Sequence, residues 1–501
     1  MGSVTSSPSR SGGAVLAGPI GPFGEHLSLM HGWVPLTAQV LAGVLLVLAI
    51  GGHTRRWRLR WLPMAVLLGA VLAGAAWWGV ESNGLSGEPA PPHLWIWVSL
   101  TGLAVGVAAL GWRSARWWRR GVSILAVPMS ALCAGLMLNL WVGYFPTVQT
   151  AWGQLTGGPL PGQTDHATVA KMLATGSVPA RGAVLPVTTP SEASKFKHRG
   201  ELVYLPPAYF AANPPPKLPT VLMIGGQFNT PADWIRTANA VDTIDEFAAR
   251  HGGNAPVFVF ADSGGSFNND TECVNGVRGN AADHLTKDIV GYMVANFGVS
   301  DRASDWGVVG WSSGGTCALN LTVKYPDLFS AFIDIDGDLR PNAGTRQQTI
   351  DRLYGGDAAA FDDWDPAIVM TRHGFYSDVA GWFAVSEPPD AVTEAVSGAE
   401  LRDQPAPDDP SGNPTAAART LCGTAAAHGI DCAVVPQEGR HDWPFAARAF
   451  ASSLPWLAGR IGTPGVPEVP LPGARTQPGG GTITAEAGTS LPSPTRPAGV
   501  R

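Results

Sequence analysis

Trp306-Gly307-Val308-Val309-Gly310-Trp311-Ser312-Ser313-Gly314-Gly315-Thr316-Cys317-Ala318-Leu319-Asn320-Leu321 is the stretch on which the fold turns. It enters as a short apolar run of strand character and leaves with helical character, until Tyr325-Pro326 stops it. Between the two lies Gly310-Trp311-Ser312-Ser313-Gly314, of the form G-x-S-x-G. In a chain with 62 glycines the five letters alone are close to chance. Strand, tight turn and helix in that order give them meaning, because a serine held in a strained turn needs neighbours without side chains on either side. Taking Ser313 as the reactive residue would put Trp311 and Gly315 at the glycine positions, so Ser312 is the nucleophile candidate.

A serine hydroxyl attacks poorly unless a base removes its proton. Gly439-Arg440-His441-Asp442-Trp443 offers that base late in the chain, after the apolar run 432–435 and before a last helix over 443–457. His441 is preferred over His428 and His373 for that position. A carboxylate that orients the imidazole is expected after the strand at 381–385, where Asp390 is first choice and Glu387 next; Asp408 and Asp409 lie further on. An oxyanion also needs two N–H donors. The N–H of Ser313 is one; Gln227, in the loop Gly225-Gly226-Gln227-Phe228 behind an early strand, is the other, with Gly226 the alternative.

Outward from this centre, apolar runs at 184–187, 201–205, 221–224, 257–260, 307–310, 331–335 and 381–385 alternate with helical stretches at 234–250, 284–297, 313–325 and 415–428. The fold class this predicts is α/β, a mostly parallel sheet covered by helices on both faces. The unit spans 182–460. Residues 145–181, rich in Gly, Pro, Thr and Gln with one short helix at 167–173, read as a linker. Residues 461–501 are Pro, Gly and Thr with few apolar side chains and read as a disordered tail.

The first third of the chain is different in kind. Four apolar stretches, 33–51, 61–80, 94–112 and 122–144, contain no charged residue, and each is long enough at about 1.5 Å per residue to cross about 30 Å of hydrocarbon. Arg55, Arg56, Arg58 and Arg60 lie between the first and second, and Arg113, Arg116, Arg119 and Arg120 between the third and fourth, whereas residues 81–93 have no Lys or Arg. The positive-inside rule then puts both arginine clusters in the cytoplasm, and residues 1–32 and everything beyond 144 outside. The spans lack ionisable residues and read as an anchor, which disfavours a transporter or sensor. A net charge of −6 with no basic run outside the membrane loops argues against nucleic acid as a partner.

The segment 182–457 resembles the esterase D and mycolyltransferase group that includes the antigen 85 proteins. The matching features are Leu205-Pro206-Pro207-Ala208-Tyr209, Gly225-Gly226, Gly264-Gly265-Ser266, the turn at Ser312 and Gly439-Arg440-His441-Asp442-Trp443. The resemblance implies an α/β-hydrolase fold, no metal, no cofactor, and ester hydrolysis or acyl transfer through an acyl-serine. It also implies an acid just ahead of the penultimate helix, where Asp409 stands. The four-helix anchor departs from the secreted members, so their sugar acceptor and lipid donor do not carry over.

Of five cysteines, Cys133 sits inside the fourth span as a small apolar residue. An external compartment permits disulfides, and Cys273 with Cys317 and Cys422 with Cys432 are the candidate pairs; buried free thiols are the alternative. Without C-x-x-C or clustered histidines no metal site is expected. Two functions follow from the sequence. One is a membrane-anchored extracytoplasmic serine esterase or acyltransferase acting on lipid or cell-envelope esters. The other is an inactive hydrolase-fold protein that binds or assembles envelope components.

Overall fold

In the computed structural model, residues 27–51, 54–83, 90–113, 115–266, 268–402, 404 and 412–474 are described. The N-terminal unit comprises α1 (Trp33–Ile50), α2 (Leu62–Asn83, continuing a π turn at Trp57–Trp61), α3 (Pro92–Gly111) and α4 (Trp117–Val142). All four are long and apolar enough to cross a membrane. The α2–α3 seam is built on small residues. A Cβ on Gly102 would lie 2.7 Å from the Gly69 Cα, and one on Gly106 2.7 Å from the Ala65 Cβ. Gly102 and Gly106 therefore let two backbones touch, the G-x-x-x-G solution to packing where lipid supplies no hydrophobic drive.

Two helices follow, α5 (Val148–Thr156) and α6 (His166–Thr175). The segment read as a linker is thus structured: Leu160 and Val169 are buried in the cores on either side of the sheet. Thr147 and Asp165 cap the two helices by accepting from Thr150 N and Thr168 N.

The remaining elements are β1 (Ala183–Val187), β2 (Glu201–Leu205), β3 (Thr220–Ile224), α7 (Asp233–Arg236), α8 (Ala240–Arg250), β4 (Val257–Ala261), β5 (Asn275–Gly276), β6 (Gly279–Asn280) and α9 (Ala281–Asp283), which runs through a π segment into α10 (Val290–Phe297). After it come β7 (Trp306–Trp311), α11 (Ser313–Lys324), β8 (Ala331–Ile335), α12 (Arg346–Tyr354), α13 (Ala358–Asp362) and α14 (Pro366–His373). The chain closes with β9 (Ala380–Glu387), β10 (Val396–Ser397), α15 (Gly398–Leu401), α16 (Pro414–Ala427), β11 (Asp431–Glu438) and α17 (Trp443–Arg460).

Nine strands form one sheet in the order β1-β2-β4-β3-β7-β8-β9-β11-β10. The pairs from β4 through β11 are parallel, while β1, β2 and β10 pair antiparallel at the edges. The parallel strands bury both faces, which is why they read as unbroken apolar runs. Along β3, Leu222 and Ile224 face a core with α10, α11 and α16, and Val221 and Met223 face one with α8 and α17. The region 234–250 is two helices because Asn239 adopts a left-handed conformation, φ 54°, between α7 and α8. Residues 461–474, counted above with the tail, instead pack on the domain: Ile461 is fully buried, and Val466 and Leu471 lie against the core.

The two units meet at the C-terminal ends of α2 and α4. Arg352 Nη2 donates to Ser82 O at 2.7 Å, and a Cβ on Gly143 would lie 2.5 Å from the Asp442 Cβ. Gln154 Nε2 donates to Asp233 Oδ1 at 2.8 Å.

Candidate active site

Ser312 stands between β7 and α11 with φ 58° and ψ −125°, a backbone strain paid where a side chain must be thrust out of a turn. The turn closes only because its flanks are bare. A Cβ on Gly310 would lie 1.6 Å from Gly314 O, and one on Gly314 2.5 Å from Ile224 O. Ser312 N donates to Ile335 O at 2.9 Å, which ties the turn to β8.

His441 lies between β11 and α17. Its Nε2 is 2.9 Å from Ser312 Oγ, the distance of a hydrogen bond. The ring stacks on Trp311 with centroids 4.2 Å apart, so the residue before Ser312 fixes the plane of the His441 imidazole. Asp442 caps α17 by accepting from Phe445 N at 3.0 Å, which sets the direction in which the chain leaves His441.

Of the expected carboxylates, Asp390 and Glu387 fall within the described residues. Asp390 is exposed beyond β9. Glu387 lies close in the backbone, its carbonyl accepting from Gly439 N at 2.9 Å, but its side chain accepts from Thr393 N and Thr415 Oγ1, both at 3.1 Å, and braces the following loop. Asp408 and Asp409 lie outside the described residues. Among the described carboxylates, Asp336 faces the base: its Oδ2 is 3.4 Å from His441 Nδ1. Asp336 is buried, has φ 47°, and accepts from Ser386 N at 2.7 Å through Oδ1. The signal was available in sequence as Asp334-Ile335-Asp336-Gly337-Asp338, acids running off the strand beside the nucleophile's. Residue Trp311 pairs with Ile335, so the next residues, Ser312 and Asp336, emerge side by side.

Burial raises several acids here. It lifts Asp334 to about 8 and raises Asp338 and Asp442 above the usual carboxylate range. Glu272 is raised further by burial and by Asp270 beside it. Asp262 behaves oppositely. Burial works against its charge, but Arg199 donates to both its oxygens, at 2.6 Å to Oδ1 and 3.0 Å to Oδ2 from Nε, and holds it low. Arg199 also donates to Asn229 O at 2.8 Å and thereby supports the loop at 225–229.

That loop lies against the nucleophile: a Cβ on Gly226 would be 3.0 Å from the Ser312 Cβ. Gln227 and Ser313 both line a small polar recess with Arg199, Asn229 and Glu272. Ser313 is the first residue of α11, so its N–H has no acceptor within the helix. The disulfides Cys273–Cys317 and Cys422–Cys432 are both formed, and the first ties the loop at 273 to α11 behind the recess.

A parallel sheet wrapped by helices, with a serine at a strand-to-helix turn and a histidine after the last parallel strand, defines an α/β-hydrolase. Residues 197–388, behind the four apolar helices, match the family model described as putative esterase. A Corynebacterium glutamicum protein described as uncharacterized is 29% identical over 378 residues, covering 73% of this chain and 85% of that one. Among solved structures, an S-formylglutathione hydrolase from Agrobacterium tumefaciens is similar at 14% identity and TM-score 0.45, over 57% of this chain and 97% of that one. Mycobacterium tuberculosis MPT51 is similar at 17% identity and TM-score 0.35, over 55% and 97%.

Proposed function

We propose that the chain is a membrane-anchored, extracytoplasmic serine esterase or acyltransferase that acts on lipid or cell-envelope esters. The observation that carries this reading is the 2.9 Å contact between His441 Nε2 and Ser312 Oγ at a strained, glycine-flanked turn. Ser312 Oγ attacks the ester carbonyl while His441 Nε2 takes its proton. The carbonyl oxygen becomes an oxyanion received by the N–H groups of Ser313 and Gln227. His441 returns the proton to the departing alkoxide, leaving an acyl-serine. Water or an acceptor alcohol then attacks that acyl group with His441 as base again, and Ser312 is released. Asp336 stands where a carboxylate steadies the imidazolium, and Asp409 is the position the family resemblance implies.

Orientation rests on the arginine clusters, which flank the N-terminal ends of α2 and α4, while the domain meets the C-terminal ends of the same helices. The lipid reading draws on that same closeness, since Asp442, next to the base, abuts Gly143 at the end of α4. A fluorophosphonate probe on the detergent-solubilised chain tests the chemistry. Labelling that disappears in Ser312→Ala supports it, and labelling that persists there defeats it. Product analysis with a sugar acceptor then separates transfer from hydrolysis.

A further inference from the structure

Away from the serine site, three side chains that are far apart in sequence converge inside the domain. Glu201 begins β2, His198 lies on the segment before it, and His284 follows α9. Glu201 and His284 side chains are fully buried and His198 is 6% exposed. Glu201 Oε1 is 2.7 Å from His198 Nδ1 and 3.2 Å from His284 Nε2, and all three ligand atoms lie within 4.8 Å of one another. The two imidazoles stack with centroids 4.1 Å apart.

A neutral His284 ring is badly satisfied in this cluster in either tautomer. If His284 carries its proton on Nε2, facing Glu201, then the buried Nδ1 lone pair meets Asp288 Oδ2 at 3.7 Å, acceptor against acceptor, and Nδ1 has no hydrogen-bond partner. If the proton sits on Nδ1, then a bare Nε2 faces a carboxylate oxygen at 3.2 Å. His198 Nδ1 has a similar excess: it faces Arg199 O at 2.6 Å as well as Glu201 Oε1 at 2.7 Å. Two imidazole nitrogens and a carboxylate oxygen thus lie within 4.8 Å of one another, with the Arg199 carbonyl 2.6 Å from His198 Nδ1. A divalent cation resolves the conflict, since it takes the Nε2 lone pair and frees Nδ1–H to donate to Asp288, the carboxylate–histidine–metal arrangement that sets ligand tautomers.

We propose that His198, Glu201 and His284 form a closed structural site for one divalent transition-metal ion of the zinc class, with Asp288 behind His284 and the Arg199 carbonyl oxygen as the fourth donor. Two nitrogen ligands select zinc over calcium or magnesium, which take oxygen. This departs from the metal-free expectation of the family resemblance, and the sequence hid it because no two of these histidines are neighbours. The site sits directly behind Arg199, whose guanidinium holds Asp262 and Asn229 O, so the ion braces the loop that carries Gln227.

The test uses the full-length chain without a polyhistidine tag, in detergent, stripped with EDTA and then loaded with zinc ion alone. The expected result is one zinc per chain retained through gel filtration, X-ray absorption showing two imidazole nitrogens, and an unfolding midpoint that rises with zinc and falls back with EDTA. Ser312→Ala should retain zinc unchanged. Glu201→Gln and His198→Asn should lose it, and Asp288→Asn should weaken it by about 10- to 100-fold. Should the first two fail to fold, the wild-type absorption spectrum and Asp288→Asn still decide. No retained zinc, equal retention in Asp288→Asn, or a metal-free His284 ring that is doubly protonated between Glu201 and Asp288 by nitrogen NMR overturns the proposal.

Discussion

The helical bundle and the hydrolase domain bury their residues in opposite directions. In the bundle many large apolar side chains point outward, with Leu36, Val47, Leu67 and Trp78 all more than three-fifths exposed, and the closest approaches of α2 and α3 are at Ala65, Gly69, Gly102 and Gly106. In the domain the large side chains point inward, and Trp234, Trp306, Trp443, Phe258 and Phe332 are fully buried. Both rest on close backbone contact at a few glycines, but for different ends. Gly102 and Gly106 bring together two helices long and apolar enough to cross a membrane, while Gly310 and Gly314 let Ser312 stand in a turn that side chains at those two positions would not permit. The comparison yields a simple expectation: damage to the domain's glycines and serine removes chemistry, and damage to the bundle's removes anchoring.

The largest effect belongs to Ser312→Ala, which should lower ester turnover by about 10⁴- to 10⁶-fold with membrane insertion intact. Kinetics on a soluble chromogenic ester with the detergent-solubilised chain measures it; turnover within tenfold of wild type would remove Ser312 from the mechanism. The base's partner comes next. Asp336→Asn and Asp409→Asn, assayed across pH, separate the two acids: the true partner should cost about 10³- to 10⁴-fold, because the imidazole then takes the wrong tautomer.

Stability gives the matching contrast. Gly310→Ala drives a methyl into Gly314 O and should cost more than about 4 kcal/mol, enough to abolish probe labelling. Gly106→Leu should instead separate α2 from α3 while labelling at Ser312 persists. Limited proteolysis of each variant reads the difference, and loss of labelling in Gly106→Leu would show that the units do not hold independently.

The serine and histidine that meet at 2.9 Å could each be singled out in sequence by their own neighbours, the strand before Ser312 and the helix after His441. The sheet was legible because buried parallel strands are apolar throughout. The acid was not. Several carboxylates follow strand ends on this side of the sheet, and which one faces an imidazole depends on the register of β7 with β8 and on where loops fold back, as Thr393 and Thr415 do onto Glu387. The helices at 148–156 and the packed segment 461–474 were hidden for a related reason. Their composition is that of a linker and a tail, and their order comes from a core they did not build.

Asp334 extends the contrast into pH. Burial lifts its carboxyl from 3.8 to about 8, so the neutral acid is the folded form. Its contribution to stability is therefore complete below about 4, declines as pH rises above that, and is lost once pH passes through about 8. Asp334→Asn retains the oxygen that accepts from Gly337 N and should flatten this decline, so the variant should gain on wild type as pH rises from about 4 to about 8. Unfolding midpoints across that range measure it, and parallel curves for the two proteins would mean that Asp334 is not held neutral.

The smallest effect tests the seam between the two regions. Arg352 Nη2 donates to Ser82 O at the end of α2, and its Nη1 donates to Ala343 O at 2.5 Å, so one side chain joins the anchor to the segment after β8. Arg352→Met keeps much of the aliphatic stem and removes the donors, a loss of about 1 to 2 kcal/mol at the seam. Because the cores on both faces of the sheet contain no residue of α1 to α4, turnover of a soluble ester should stay within about twofold of wild type. A substrate presented in a bilayer should respond more, since only there does the angle between the site and the ends of α2 and α4 govern access. Equal responses to the two substrates would mean that this contact has no part in presenting the site to the membrane.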